Sequence, residues 1–263
     1  MILSKDNIDI GLIAASGQVF RIRDEKDGQF TAIHKEHVLH IKDLGNEYEL
    51  SCSNAEFEKV WQNYFDMDTN YEKLIKEIDP KDTFLKNASE FGHGIRILNQ
   101  DPWEATLCFI ISQNNNIPRI TGAVNKICAR FGKNLGENEC SIPSPEVFAG
   151  LSSVAELADL SLGYRDEYIY EFCKNYDVYD FLANVKKLPY EAAMKELMKV
   201  KGIGKKVANC ICLYGLHMVN ACPIDVWVKR IIDEEYGGAA PAWMDSPFAG
   251  IYQQYAFYYK RKK

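Results

Sequence analysis

None of the eight cysteines, Cys52, Cys108, Cys128, Cys140, Cys173, Cys210, Cys212 and Cys222, forms a Cys-x-x-Cys pair, and none follows Cys222. That excludes the usual spacings of a structural zinc site and a cysteine cluster for iron–sulfur binding near the end of the chain. The five histidines are scattered and add no ligand set. No apolar run approaches the roughly 20 residues needed to cross a bilayer. The opening, MILSKDNIDIGLIAASGQ, has one lysine and too short an apolar run for an export signal. A cytoplasmic protein with reduced, mostly buried thiols is expected. Repeats, linkers and low-complexity tracts are absent. There is also no excess of positive charge, since 31 Lys and Arg against 37 Asp and Glu give a net charge of −6. This argues against a protein that coats nucleic acid over its whole surface. A local basic groove stays allowed, because counterion release depends only on the few cations placed at phosphates.

What is present fits a globular protein of 263 residues, 47% apolar and 26% charged. A chain of this length buries about three quarters of its unfolded surface. Between residues 17 and 52 the segments VFRIR, FTAIH, HVLHIKD and YELSC alternate in polarity, separated by the turn-prone pieces EKDG and DLGNE. This predicts an antiparallel sheet with short connections. After Ser53 the period changes to helical, in EFEKVWQNYF and YEKLIKEI, and from about residue 84 nearly every segment is helical by spacing. The expected fold is α+β, with a small N-terminal antiparallel β-sheet domain with flanking helices over 1–83. It would pack on a larger all-helical domain over 84–263.

The stretch YEAAMKELMKVKGIGKKVANCICLYGL, residues 190–216, reads as helix, tight turn, helix. In the turn, Gly202 and Gly204 permit backbone angles that other residues resist and let a phosphate approach the main chain. The amides opening the second helix form a ready anion site, with Lys201, Lys205 and Lys206 adding charge. A helix-hairpin-helix grips a DNA backbone in this way without reading bases. Downstream, ACPIDVWVKRII predicts a helix capped by Asp225. By themselves these residues fit equally well a plain helical hairpin with solvated lysines, and Asp225 as a cap only. The combination of Lys206 with Asp225, 225 − 206 = 19 residues later, is what draws attention.

GIGKKVANCICL followed by PIDVW resembles the helix-hairpin-helix and Gly/Pro…Asp signature of base-excision DNA glycosylases. SGQVFR (16–21), QDPWEATLCFIISQNNNIPRITG (100–122), LGYRDEY (162–168) and AGIYQQYAF (249–257) are similar, in the same order, to the 8-oxoguanine DNA glycosylase branch. The resemblance spans about Ser16 to Phe257. Its endonuclease III-type relatives usually carry a four-cysteine cluster that this chain lacks.

The resemblance implies a lesion-flipping glycosylase with β-lyase activity acting on double-stranded DNA as a monomer, with no membrane association, in the nucleoid if the cell is bacterial. It makes Lys206 the nucleophile and Asp225 the stabiliser of the cationic sugar. Cys210, one turn after Lys206, would line the base pocket. Gly17 would offer its carbonyl to the N7 hydrogen of 8-oxoguanine, Gln253 would meet the Watson–Crick edge, and Phe257 would stack on the flipped base. Asn114, Arg119, Tyr164 and Arg165 would fill the gap and contact the orphaned cytosine, giving a preference for cytosine over adenine opposite the lesion. Lys201, Gly202, Gly204 and Lys205 would hold the DNA backbone. No cofactor or metal is implied beyond an open question of a monovalent cation on hairpin carbonyls near Met198, Val200 and Ile203. Two other readings stay open from the residues: a non-catalytic helix-hairpin-helix DNA-binding protein, and a related glycosylase for alkylated bases.

Overall fold

Five strands form one antiparallel sheet in a computed structural model that describes residues 1–263. They are β1 (Ile2–Ser4), β2 (Ile22–Lys26), β3 (Gln29–His34), β4 (His37–Asp43) and β5 (Glu47–Leu50), in the order β1-β5-β4-β3-β2. The EKDG turn works because Lys26, Asp27 and Gly28 all take positive φ, and the Gly28 carbonyl accepts from the Asp43 amide at 2.7 Å. In the DLGNE turn the carboxylate of Asp43 accepts from the amide of Gly45 at 2.8 Å. β1 pairs with β5 through Ile2–Ser4, a stretch too short to show a period in the sequence. β3 departs from the expected alternation, being buried at every position from Phe30 to His34. A strand covered on both faces has no solvent side for polar residues to mark. A core of Ile8, Ile10, Ile13, Leu39, Ile41, Tyr48, Trp61, Tyr64 and Phe65 closes over the sheet.

The chain divides into two compact units, and the division does not follow chain order. One unit comprises Met1–Ala32, Leu39–Asn99 and His217–Lys263, and the other Ile33–Val38 and Gln100–Leu216. The two-segment expectation of 1–83 and 84–263 therefore needs redrawing. The physical reason is the last helix, Ala249–Lys262, which is buried along most of its length. Tyr252 donates to the carbonyl of Leu74 at 3.0 Å and Tyr255 to that of Ile95 at 3.2 Å. Tyr259 meets the ring of Phe84 at 5.6 Å, so the helix is core to the sheet's own unit.

The second unit is mainly helical and built around Pro102–Ile111. Asp101 caps this helix, accepting from the amides of Trp103 and Glu104, and every residue from Trp103 to Ile111 is buried. A helix apolar all round belongs at the centre of its domain. The segment SVAELADL, in the region expected to be helical, is a 3-10 helix over Val154–Leu160. Besides β1, elements absent from the sequence reading are a short helix Ile10–Ala15, a helix Val178–Lys186, a 3-10 helix Ala242–Asp245, and a small hairpin of β6 (Asn134–Gly136) and β7 (Glu139–Cys140). None of the eight cysteines is in a disulfide, and six are buried.

Candidate active site

The helical hairpin runs from Tyr190–Leu197 through the turn to Lys205–Cys210, which continues as a π-helical turn over Ile211–Gly215. Tyr190 sews the two helices together by donating to Asn209 Oδ1 at 2.5 Å, and Asn209 in turn donates to the carbonyl of Lys205 at 3.2 Å. The two turn glycines differ. Gly202 has φ +87°, and a Cβ there would lie 2.3 Å from the ring of Tyr168. Gly204, at φ −84°, has no left-handed requirement and nothing within 4 Å of a built Cβ. The expectation that both glycines relieve backbone strain is thus corrected: only Gly202 does, while Gly204 keeps the helix start open. The carbonyl of Val200 accepts from the Ile203 amide at 3.0 Å, closing the turn.

Three lysines of the turn are in different states. The Lys201 ammonium is bound by Glu167 and Glu171, each at 3.0 Å, and the hydrogen bonds it donates to Glu171 and Glu167 raise its pKa. Lys205 is exposed without a side-chain partner. Lys206 is also exposed, with its Nζ 5.6 Å from the centre of the Phe109 ring and no ion pair or hydrogen bond. Phe109 is stacked on Tyr214 at 5.2 Å, a rigid apolar floor beneath the amine. Cys210, 3% exposed, is buried one turn further along.

Asp225 is half-buried and opens the Val226–Glu235 helix. One oxygen, Oδ1, accepts from the amides of Trp227 and Val228, both at 2.9 Å. The other, Oδ2, has no partner. Capping and a second role are therefore compatible, because they use different atoms.

Gly17 sits at φ +84°, a position that disfavours any side chain. Both its neighbours are anchored. The carbonyl of Ser16 accepts from Gln254 Nε2 at 3.1 Å. The Gln18 amide bridges the main chain of residues 96–98, donating to Arg96 O at 2.9 Å and accepting from the Leu98 amide at 2.9 Å. That segment is itself fixed by the buried Arg96 guanidinium, which donates to the carbonyls of Asn7, Phe65, Asp66 and Thr69. Gln253, next to Gln254 on the last helix, is 3% exposed, yet its Oε1 has no hydrogen-bond partner. Buried polar atoms are almost always paired, which makes this acceptor a candidate contact. Phe257 is only partly buried on a helix otherwise buried from Ala249 to Tyr259.

The expected gap residues divide sharply. Asn114 and Arg119 are exposed, and neither side chain makes a hydrogen bond or ion pair. Asn114 has φ +45°, while its neighbours Gln113 and Asn115 donate back to carbonyls of the preceding helix and Asn116 caps the next. Tyr164 is 48% exposed and meets Tyr168 edge-on at 5.6 Å. Arg165 departs from expectation. It is 6% exposed, and its guanidinium is committed to the main-chain carbonyls of Gln113, Asn114 and Leu162. In the DNA-free protein its guanidinium is held at the main chain.

A family profile for the N-terminal domain of 8-oxoguanine DNA glycosylase matches residues 1–106. An N-glycosylase/DNA lyase of Saccharomyces cerevisiae is 33% identical over 264 residues, covering 89% of this chain and 70% of the yeast protein. The chain belongs to the 8-oxoguanine DNA glycosylase family. An N-glycosylase/DNA lyase of Arabidopsis thaliana is 26% identical, over 87% of this glycosylase and 66% of the plant protein. The crystal structure of a Clostridium acetobutylicum 8-oxoguanine glycosylase/lyase, bound to double-stranded DNA with cytosine opposite 8-oxoguanine, superposes with a TM-score of 0.89. It is 30% identical and covers 100% of this chain and 98% of that one. The chain spans between 62% and 70% of the length of the curated relatives it matches.

Sequence reasoning missed the supports of this glycosylase site. Phe109 under Lys206, Gln18 and Arg96 behind Gly17, and Gln254 beside Gln253 all act through the main chain or through packing. Phe109, inside QDPWEATLCFIISQNNNIPRITG, Gln18, inside SGQVFR, and Gln254, inside AGIYQQYAF, stood in stretches already singled out, and Arg96 did not.

Proposed function

We propose that the protein extrudes 8-oxoguanine from duplex DNA, excises it and nicks the strand, acting as N-glycosylase and β-lyase through a lysine Schiff base. Inside a duplex the reacting bond is out of reach, so the nucleotide must be flipped at a cost of roughly a few kcal/mol. Lys206 attacks C1′ of the sugar. The C1′–N9 bond breaks, and the base leaves with the electron pair and takes up a proton. The opened sugar is then held as an iminium on Lys206. Loss of a C2′ proton expels the 3′-phosphate, and water frees the lysine. Asp225, through its unbonded oxygen, stabilises the positive charge that develops on the sugar.

Gly17 accepts from the N7 hydrogen of the lesion, Gln253 meets the Watson–Crick edge, Phe257 stacks on the base and Cys210 lines the pocket. Asn114 fills the vacated stack, with Tyr164 as a wedge. Arg119 presents a rigid fork of donors to the O2 and N3 acceptors of the orphaned cytosine. An adenine there would face that fork with an amino donor, so a preference for cytosine of roughly 5- to 150-fold follows from about 1–3 kcal/mol of contact energy. The uncapped amides at Gly204–Lys206, with Lys205, hold the DNA backbone. The protein acts as a monomer, and no helix is long and apolar enough to cross a membrane.

The observation that carries this reading is the state of Lys206. Lys201, five positions earlier, is neutralised by two carboxylates, whereas Lys206 stands unpaired over an aromatic floor at the start of the second hairpin helix. Borohydride trapping on a duplex with 8-oxoguanine opposite cytosine tests it. Lys206→Gln is expected to abolish both the covalent adduct and base release while retaining affinity for lesion DNA. An adduct that persists in the variant would move the role to another amine, with Lys205 the first suspect.

A further inference from the structure

Gln253, Phe257 and Arg261 follow one another at intervals of four on the helix Ala249–Lys262 and so share one face. Arg261 stands one turn beyond Phe257, with its guanidinium carbon 5.2 Å from the centre of that ring. The guanidinium makes no hydrogen bond or ion pair, and its Nη1 is buried without an acceptor. A cation near a helix C-terminus is favourable in itself. That accounts for the charge of Arg261 and of Lys260, Lys262 and Lys263 beside it. It does not account for a donor shut away from water and left unmatched.

An outlet for that donor lies next to it. Arg261 lines a groove of about 530 Å³ with Trp227 and Arg230 of the Val226–Glu235 helix and with Tyr259, Lys260 and Lys263 of its own. The other cations of the groove are engaged. Lys260 is bound by Glu234 at 2.8 Å and by Glu235. Arg230 stands 3.7 Å from Glu234 and lies over the Trp227 ring, while the Lys263 ammonium lies 4.1 Å from the centre of the Tyr259 ring. Arg261 is the guanidinium of this groove that has no carboxylate. Both walls lead to the candidate site. The Trp227 amide donates to Asp225 Oδ1 at 2.9 Å, and Arg261 rests on Phe257.

The direction of the stripe indicates what would arrive there. Residues 253 and 261 are about 12 Å apart along the helix axis, at about 1.5 Å per residue. In a purine the Watson–Crick edge lies across the rings from the glycosidic nitrogen. A base stacked on Phe257 with that edge at Gln253 therefore turns its sugar and phosphate away from Gln253, toward the Arg261 end. A guanidinium meets phosphate oxygens with paired, charge-assisted donors. We infer that Arg261 binds a backbone phosphate adjoining the flipped nucleotide. One helix face then holds the edge, the ring and the phosphate of the lesion. The inference rests on the glycosylase reading above. This contact differs from the hairpin's grip on DNA, because the phosphate reaches the groove only once its nucleotide has left the stack.

The experiment measures affinity for three duplexes in a Lys206→Gln background, which leaves the lesion intact. One is undamaged, one carries 8-oxoguanine opposite cytosine, and one carries tetrahydrofuran, an abasic analogue without a base, opposite cytosine. Arg261→Gln and Arg261→Lys are compared with the parent, with a thermal melt of each. A phosphate contact predicts that Arg261→Gln weakens both lesion duplexes alike, by about tenfold, the scale of one charge-assisted contact. The slope of log affinity against log salt falls by about one. Undamaged DNA is bound as by the parent. Arg261→Lys keeps the charge and recovers part of the affinity. A single uncharged methylphosphonate is then placed at each phosphate flanking the lesion in turn. One position should weaken the parent by about the same factor and cost Arg261→Gln nothing further, because the two losses are one loss. The same scan with Arg261→Lys carries the comparison should the glutamine variant not fold.

A loss confined to the 8-oxoguanine duplex would overturn the inference and put Arg261 on the base. An equal loss on undamaged DNA, or a methylphosphonate scan with no position coupled to Arg261, would overturn it as well. Absence of 8-oxoguanine excision by the wild-type protein would strike the glycosylase reading and this inference with it. Normal wild-type excision, with Arg261→Gln binding all three duplexes as tightly as the parent, would sink this inference alone.

Discussion

Two turns in the helical unit, Gln113–Asn116 and Val200–Gly204, are braced by the same helix, Arg165–Asn175, in different ways. The first is held by polar attachment, with the Arg165 guanidinium gathering carbonyls. The second is held by shape, with the ring of Tyr168 filling the space that a side chain at Gly202 would need. Lys201 adds a pair of surface ion pairs to Glu167 and Glu171 on the same helix. A carbonyl clamp fixes where a turn points yet tolerates small shifts. A close-packed contact against a left-handed glycine has almost no tolerance. The difference suits one turn that presents a single side chain and another that, under the proposed function, presents bare backbone to phosphates.

The largest expected effect breaks the shape-held turn. Gly202→Ala introduces a left-handed non-glycine residue, worth roughly 1–2 kcal/mol, and overpacks Tyr168, worth roughly 1–3 kcal/mol. We expect a loss of about 3 kcal/mol in chemical denaturation. Adding Tyr168→Ala should recover the packing share and leave the backbone share. Full recovery would show that the φ angle is not a constraint here.

Next comes Gly204→Val, which puts bulk over the open helix start. Affinity for damaged and undamaged duplexes should fall alike, because backbone contacts carry no sequence information. Gly204→Ala should lower stability by no more than roughly 1 kcal/mol, since the space is free and the loss is that of a glycine cap replaced by a poorer one. Loss of lesion binding alone would contradict the phosphate role.

Asp225→Asn sharpens the contrast between a structural and a chemical use of one residue. Asparagine caps as well as aspartate, so stability should change by only a few tenths of a kcal/mol. Base excision should nevertheless fall by two or more orders of magnitude, the scale of losing one preorganised electrostatic group, roughly 10²–10³. Retained excision would reduce Asp225 to its cap.

The smallest effect concerns Lys201. Glu167→Gln with Glu171→Gln releases its ammonium, and the slope of log affinity against log salt should steepen by about one phosphate contact. An unchanged slope would mean that Lys201 never reaches DNA.

The same turns show what the sequence can and cannot convey. Strands in the VFRIR–YELSC region and the hairpin helices were legible, because alternation, helical spacing and glycine breaks are local properties. The helix Val178–Lys186 was not, because the break before it is made by Tyr176 in an extended conformation, φ −132° and ψ 143°, with no glycine or proline to mark it. In GIG the two glycines look equivalent, and only the position of Tyr168 separates them. Arg119 and Arg165 are likewise indistinguishable as letters. Whether a guanidinium faces solvent or main-chain carbonyls depends on residues 50 positions away, since 165 and 113 differ by 52. Lys206 and Asp225 were legible from their motif, but the free oxygen of Asp225 and the aromatic floor under Lys206 needed coordinates.

The unmatched Oε1 of Gln253 has a bearing on inhibitor selection. An acceptor kept dry and unpaired costs roughly 1–3 kcal/mol, and a small molecule that supplies an N–H returns that sum on docking. Compounds that set a ring N–H beside an amino group, as the edge of a 2-aminopurinone does, should therefore raise the melting temperature of the DNA-free protein more than adenine-like compounds, whose one amino donor sits beside a ring acceptor. Guanine and 8-oxoguanine share this edge, so under the proposed function Gln253 would not separate them and the choice would fall to the carbonyl of Gly17. A thermal-shift screen without any oligonucleotide can thus rank fragments by hydrogen-bond polarity before catalysis is ever assayed.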